Sequence, residues 1–129
     1  MNLIDELHSI ATTLSDAGVA YAVCGGIAVT VYGATRSTKD IDVRIAPKDL
    51  PRVLDLVRPL GYVFAAFPLI LDILLAAASF SSCLDDRVRI DLPEGPLWVV
   101  SRAPLLRMKR MAGRPQDLAD VEKLDARDE

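Results

Sequence analysis

Between Tyr21 and Ile45 the chain reads YAVCGGIAVTVYGATRSTKDIDVRI: two apolar runs, the first closed by Gly25-Gly26 and the second opened by Asp40-Ile41-Asp42. No other feature constrains the fold as strongly. The run VAYAVCG is short and β-prone and reads as a strand. Periodicity alone does not decide the segment GIAVTVYG, but its Gly-Gly entry favours a strand-to-helix turn. KDIDVRI alternates and reads as a second strand. Residues i and i+2 of a strand share a face, so Asp40 and Asp42 point one way and Ile41 points into the core. Like charges this close either raise the pKa of one carboxyl or need a cation between them.

The rest of the chain supplies helices around that unit. Leu3, Leu7, Ile10, Ala11 and Leu14 recur at helical spacing, with Asn2 as a possible cap and Gly18 as the stop. Pro47 suits a first helical turn, and Leu50, Val53, Leu54, Val57 and Leu60 mark an amphipathic helix ending at Gly61. PLILDILLA reads as a third strand. RVRIDLPEGPLWVV reads as a hairpin turning at Pro-Glu-Gly-Pro, with Trp98 in the core. Ser101 caps a helix that Gly113 ends, and Pro115 opens a last helix carrying Leu118, Val121 and Leu124. The pattern is α/β: a small mixed sheet flanked by helices. With 129 residues and no repeat, low-complexity tract or linker, it is expected to form one domain over residues 1–129.

Composition excludes several classes. Apolar residues at 51% and charged residues at 26% fit a globular chain and oppose disorder. A net charge of −3 gives no global reason to bind nucleic acid, so any basic patch must be local. Cys24 and Cys83 lack metal-ligand spacing and sit in apolar context, so buried reduced thiols are expected. His8, the single histidine, is placed on the surface of the first helix, which disfavours zinc and histidine-dependent catalysis. Tyr62 to Leu84 is nearly uncharged and long enough to span a bilayer. Pro68 and Asp72 oppose that reading, since an ionised Asp there costs about 2.5–3.5 kcal/mol. A buried strand followed by a small-residue turn or helix is expected instead. The N-terminal residues carry Asp5 and Glu6 and no basic-then-apolar block, so a cytoplasmic protein is expected.

The acidic residues carry the chemistry. Asp40 and Asp42 fit a Mg²⁺ site, because that ion prefers a few carboxylates together with substrate phosphates. Simple pairing with Lys39, Arg36 or Arg44 is the other reading. Gly25 and Gly26 let backbone approach a phosphate closely. Asp72, within LILDILL, lies in an apolar context where an unpaired carboxylate is costly, and it is favoured as a third acid over Asp91 in RVRIDL. Arg36 and Thr38 precede the acidic strand and either orient its carboxylates or belong to a plain loop. Arg102, Arg107, Lys109, Arg110 and Arg114 form a run without an acid between them. Residues 107, 110 and 114 share a helical face, read as a phosphate- or RNA-facing surface or as a solvated one. Asp117 either caps or pairs near the site.

Taken together, VCGG-IAVTVYGATRSTKDIDVRI resembles the signature of the nucleotidyltransferase superfamily with the DNA-polymerase-β-like fold. That signature is an apolar residue, Gly, Gly or Ser, a spacer, then Asp-apolar-Asp-apolar. The thirteen residues between Gly26 and Asp40 are at the long end of the pattern. Within the superfamily the chain looks most like the small bacterial AbiEii-type toxin and minimal nucleotidyltransferase groups. There Gly-Gly-x-Ala, Gly-x-x-Arg-x-Thr and Asp-Ile-Asp recur together, as do Gly25 to Ala28, Gly33 to Thr38 and Asp40 to Asp42 here. The tail LLRMKRMAGRPQDLADVEKL is similar as well. The likeness spans about residues 18 to 125.

The resemblance implies Mg²⁺-dependent transfer of a nucleoside monophosphate from an NTP, with two ions held by Asp40, Asp42 and Asp72. Gly25 and Gly26 would hold the triphosphate, Lys109 would neutralise it, and Asp72 would orient and deprotonate the acceptor hydroxyl. It also implies a protein or tRNA acceptor, a toxin–antitoxin setting, a cognate helical partner protein or a homo-oligomer, and no membrane. The competing reading is a non-catalytic partner that keeps the fold and uses its apolar surface for assembly. A small-molecule transferase of the aminoglycoside-modifying kind is a third.

Overall fold

The computed structural model describes residues 3–33, 40–60, 70–77 and 80–126. Its elements run α1 (Leu3–Asp16), β1 (Tyr21–Cys24), α2 (Gly25–Val31), β2 (Asp40–Ile45), α3 (Leu50–Val57), β3 (Ile70–Leu75), β4 (Val88–Leu92), β5 (Gly95–Val99), α4 (Arg102–Ala112) and α5 (Pro115–Ala126). Short 3₁₀ turns at Pro47–Asp49 and Arg58–Leu60 flank α3. The mixed α/β architecture is the one read from the sequence.

The five strands form one sheet in the order β3-β2-β1-β5-β4. β1 pairs antiparallel with β2 and parallel with β5, β2 pairs parallel with β3, and β4 and β5 form the hairpin. The hairpin turn is tighter than Pro-Glu-Gly-Pro. Leu92 pairs with Gly95, so Pro93 and Glu94 alone bridge the strands and Pro96 already lies on β5.

Burial follows strand position. Central β1 is buried along its whole length. β2 alternates: Ile41, Val43 and Ile45 enter the core, while Asp40, Asp42 and Arg44 share the opposite, half-buried face. From α1, Leu7, Ile10, Ala11 and Leu14 meet them in one apolar cluster with Val53 and Val57 of α3. At roughly 25 cal/mol per Å² of apolar surface removed from water, this shared cluster is the main term holding the helices to the sheet. α2 packs on β1, β2 and α4, and α4 packs on α5.

Two expectations need correction. β3 is an edge strand, so Asp72 is exposed; the apolar letters around it do not bury its carboxylate. Leu71 and Ile73 still pack against the core from the alternate positions. Trp98 is half-buried at the core's margin, with the Arg87 guanidinium 4.2 Å above its ring. Among the described residues no helix is long and apolar enough to cross a membrane, and Ile70–Leu75 of the segment in question is β3. Cys24 and Cys83 are buried free thiols, as expected. Gly61, Arg36, Thr38 and Lys39 lie outside the described residues.

Candidate active site

The site begins where β1 becomes α2. Cys24 is extended, and Gly25 follows at φ +66°, in the left-handed region that disfavours a side chain. A Cβ at Gly25 would fall on the Asp42 carboxylate, 2.8 Å from its Cγ. This residue is therefore glycine for two reasons, a conformational one and a steric one. Gly26 is buried in the first turn of α2, where its carbonyl accepts a bond from Thr30 Oγ1 at 3.1 Å.

Asp42 stands at the centre. It is opposite Cys24 in the β1–β2 register and opposite Asp72 in the β2–β3 register. Partners in a parallel pair point to the same face, so the two carboxyl groups meet side by side. Asp40 is one same-face step along β2 and level with Ile70. Burial first, then the hydrogen bond and charge of Asp72, then the charge of Asp40, push the Asp42 carboxyl up to about 7; Lys109 opposes the shift. The like-charge conflict expected of Asp40 and Asp42 is thus centred on Asp42 and Asp72. Among the described residues, no three His, Cys, Asp or Glu side chains converge as a preformed metal-holding group.

The other wall comes from α4 and α5. Lys109 is buried, with Nζ 3.2 Å from Asp117 Oδ1 and 3.1 Å from Asp120 Oδ2. Both acids are buried in the first turns of α5, three residues apart and therefore on one helical face. Asp117 also accepts Arg114 Nε at 2.6 Å and the Arg114 backbone N–H at 3.3 Å. The Arg114 hydrogen bond, followed by Lys109, holds the Asp117 carboxyl below its ordinary range. A buried ion group is costly to assemble but costly to break as well, so it fixes where the Lys109 ammonium sits.

These walls enclose an open cleft of about 240 Å³ lined by Cys24, Gly25, Asp42, Asp72, Lys109 and Arg114, with Arg44 and Leu74 on its floor. The structure brings Gly25, Asp42, Asp72 and Lys109 together, while Asp40 acts on the group through its charge and Gly26 is not among the residues lining the cleft. Asp91 is elsewhere, on β4 at the opposite edge of the sheet, paired with Arg89 at 3.1 Å. His8 is on α1 beside Gly95, far along the sheet. Cys24 lines the cleft, but burial and then Asp42 push its thiol up to about 12, which leaves it protonated.

The basic run does not form a common face. Arg114 lies past the end of α4, beyond left-handed Gly113, and pairs with Asp117. Arg110 pairs with Asp125 at 3.4 Å, and Arg102 donates to the Leu124 carbonyl. Arg107 alone of the four arginines has its guanidinium on an aromatic ring, that of Phe80. Sequence reading did not anticipate the double clamp on Lys109. The available signal was Asp117-x-x-Asp120 following a helix that carries a lysine.

Comparison with solved structures identifies the architecture. The chain superposes on the crystal structure of an antigenic nucleotidyltransferase-like protein from Paracoccidioides brasiliensis with a TM-score of 0.71, at 16% identity, over 93% of this chain and 73% of that one. The chain has the nucleotidyltransferase fold. It matches the lincosamide antibiotic adenylyltransferase LnuA, solved with lincomycin bound, with a TM-score of 0.70 at 17% identity, over 94% of this chain and 95% of that one. It matches ANT(2")-Ia, solved with adenylyl-2"-tobramycin, with a TM-score of 0.69 at 14% identity, over 94% and 86% of the two chains. No protein-family model matches the chain, and no curated protein matches its sequence.

Proposed function

We propose that this protein transfers a nucleoside monophosphate from an NTP to a hydroxyl acceptor in the cleft between β2–β3 and α4–α5, the new ester bond to the α-phosphorus replacing the α–β phosphoanhydride bond as pyrophosphate leaves. The observation that carries the reading is the register of Asp42 against Asp72, beneath Gly25 and facing Lys109. The carboxylates suit Mg²⁺, being hard oxygen donors whose mutual conflict a divalent cation would relieve. Asp42 and Asp72, with Asp40, would hold the metal, which when bound supplies neutralisation of phosphate charge.

The chain's own groups account for the rest. Gly25, without a side chain, lets a phosphate lie against the β1–α2 turn. Lys109, fixed by Asp117 and Asp120, and Arg114, anchored by one edge to Asp117, turn positive charge toward the cleft. Asp72, at the exposed edge, is placed to accept the proton of an entering hydroxyl. No protein nucleophile is required, since positioning and charge stabilisation suffice for in-line phosphoryl chemistry.

The sequence resemblance supports a protein or tRNA acceptor within a toxin–antitoxin system. A second reading, a small-molecule acceptor, is favoured by length: this chain spans 95% of LnuA, so a chain of this size is long enough for such a fold member. Incubation with each α-labelled NTP, Mg²⁺ and either cell extract or hydroxylated antibiotics reads both cases. Label should move to an acceptor with the wild type and stay on the nucleotide with Asp42→Asn. Absence of transfer by the wild type to every acceptor would leave the non-catalytic assembly role.

A further inference from the structure

One cationic feature beside the cleft has no role in the scheme above. We propose that Arg44 and Arg107, gathered on Phe80 next to the Asp42–Asp72 pair, form a shelf that binds a phosphate group of the acceptor. The acceptor assignment rests on the transferase reading; the anion site itself does not.

Arg44 is two residues beyond Asp42 on the same face of β2, opposite Leu74, and lines the cleft floor. Its NH1 group donates to the Leu75 carbonyl at 2.7 Å, while its Nε is buried without a hydrogen-bond partner. Its Cζ is 4.6 Å from the centre of the Phe80 ring. Arg107, exposed on α4, brings its Cζ within 6.0 Å of the same ring. Among the described residues neither makes an ion pair, although Lys109, Arg110 and Arg114, from the tail that carries Arg107, are all paired.

A guanidinium packed on an aromatic face keeps its remaining in-plane N–H groups available, here those of Arg107 and the Arg44 amino N–H groups not bonded to Leu75, and such groups match phosphate oxygens. Two guanidinium groups over one ring repel each other, and an anion bound by both relieves that repulsion. The same arrangement opposes a polycationic acceptor. One same-face step along a strand is about 7 Å, a separation that a sugar hydroxyl and the phosphate on that sugar can span. A hydroxyl at Asp72 would then leave its neighbouring phosphate over Arg44. The ligand class is a phosphate mono- or diester, from the end of a nucleic-acid strand or from a small phosphorylated molecule.

Fluorescence anisotropy of a labelled oligouridylate, at fixed Mg²⁺ and several KCl concentrations, tests the shelf. We expect Arg107→Ala and Arg44→Gln each to weaken binding about tenfold and to flatten the salt slope by about 0.7–1. Arg107→Lys should recover only part of the loss, and Arg52→Ala, an exposed arginine of α3, should have no effect. Arg107 is exposed and safe to replace, so the test stands even if Arg44→Gln fails to fold. Competition by unlabelled glucose 6-phosphate as strong as that by oligouridylate supports a small phosphorylated acceptor; competition by the strand alone supports a nucleic-acid end. Equal affinity and salt slope in wild type and Arg107→Ala, or no binding of either phosphate probe by the wild type, overturns the shelf. Loss of binding in Arg107→Ala without any NMP transfer by the wild type supports the shelf and overturns the transferase reading instead.

Discussion

Replacing Asp42 by Asn should change the pH dependence of stability in a defined direction. The Asp42 carboxyl is raised from 3.8 to about 7 by burial and by Asp72. Between these values the folded state holds a proton that the unfolded state has released. Stability therefore falls as pH rises from about 4 to about 7 and levels off above that. The full displacement is equivalent to at most ~4 kcal/mol, and solvent screening in an open cleft reduces this to ~1–2 kcal/mol. In Asp42→Asn the amide still donates to Asp72 but does not ionise, so this slope should vanish. Thermal unfolding in EDTA between pH 5 and 8 reads the difference as a Tm decline steeper by roughly 3–8 °C in the wild type. Mg²⁺ at pH 8 should raise the wild-type Tm and leave the variant's unchanged. Parallel pH profiles, or equal stabilisation by Mg²⁺, would refute the account of Asp42 as the centre of a charge conflict that a cation relieves.

Other substitutions separate structure from chemistry. Lys109→Met leaves Asp117 and Asp120 buried without their shared cation and should cost ~3–5 kcal/mol in urea unfolding; a loss under 1 kcal/mol would show that the clamp is solvated. Gly25→Ala combines a positive φ with the Asp42 contact and should cost at least ~1–3 kcal/mol and abolish nucleotide binding in calorimetry. Asp72→Asn, exposed at the sheet edge, should leave Tm within a few degrees and NTP affinity intact while slowing labelled-NMP transfer ~10²–10⁴-fold; unchanged transfer would remove Asp72 from the chemistry.

Those residues differ in how readily the sequence disclosed them. Gly25, Asp40 and Asp42 are readable because a local rule fixes each: a turn that excludes Cβ, and a period of two that puts both carboxylates on one face. The order of strands is set by long-range pairing, to which local periodicity is blind. LILDILL has the letters of a buried strand, yet β3 lies at the edge, with its apolar positions on the core and Asp72 in the open. Edge position, rather than a tolerated buried charge, is what leaves that carboxylate exposed. The same limit applies to the tail. As a string, Arg102 to Arg114 looks like one basic surface, but the left-handed turn at Gly113 folds α5 back on α4 and delivers Asp117, Asp120 and Asp125 to it. Asp117 and Asp120 both go to buried Lys109 and Asp125 goes to exposed Arg110, while the Arg107 guanidinium lies over Phe80. Charge compensation within this tail is selective, and a run of like letters does not say which of its cations the returning helix will meet.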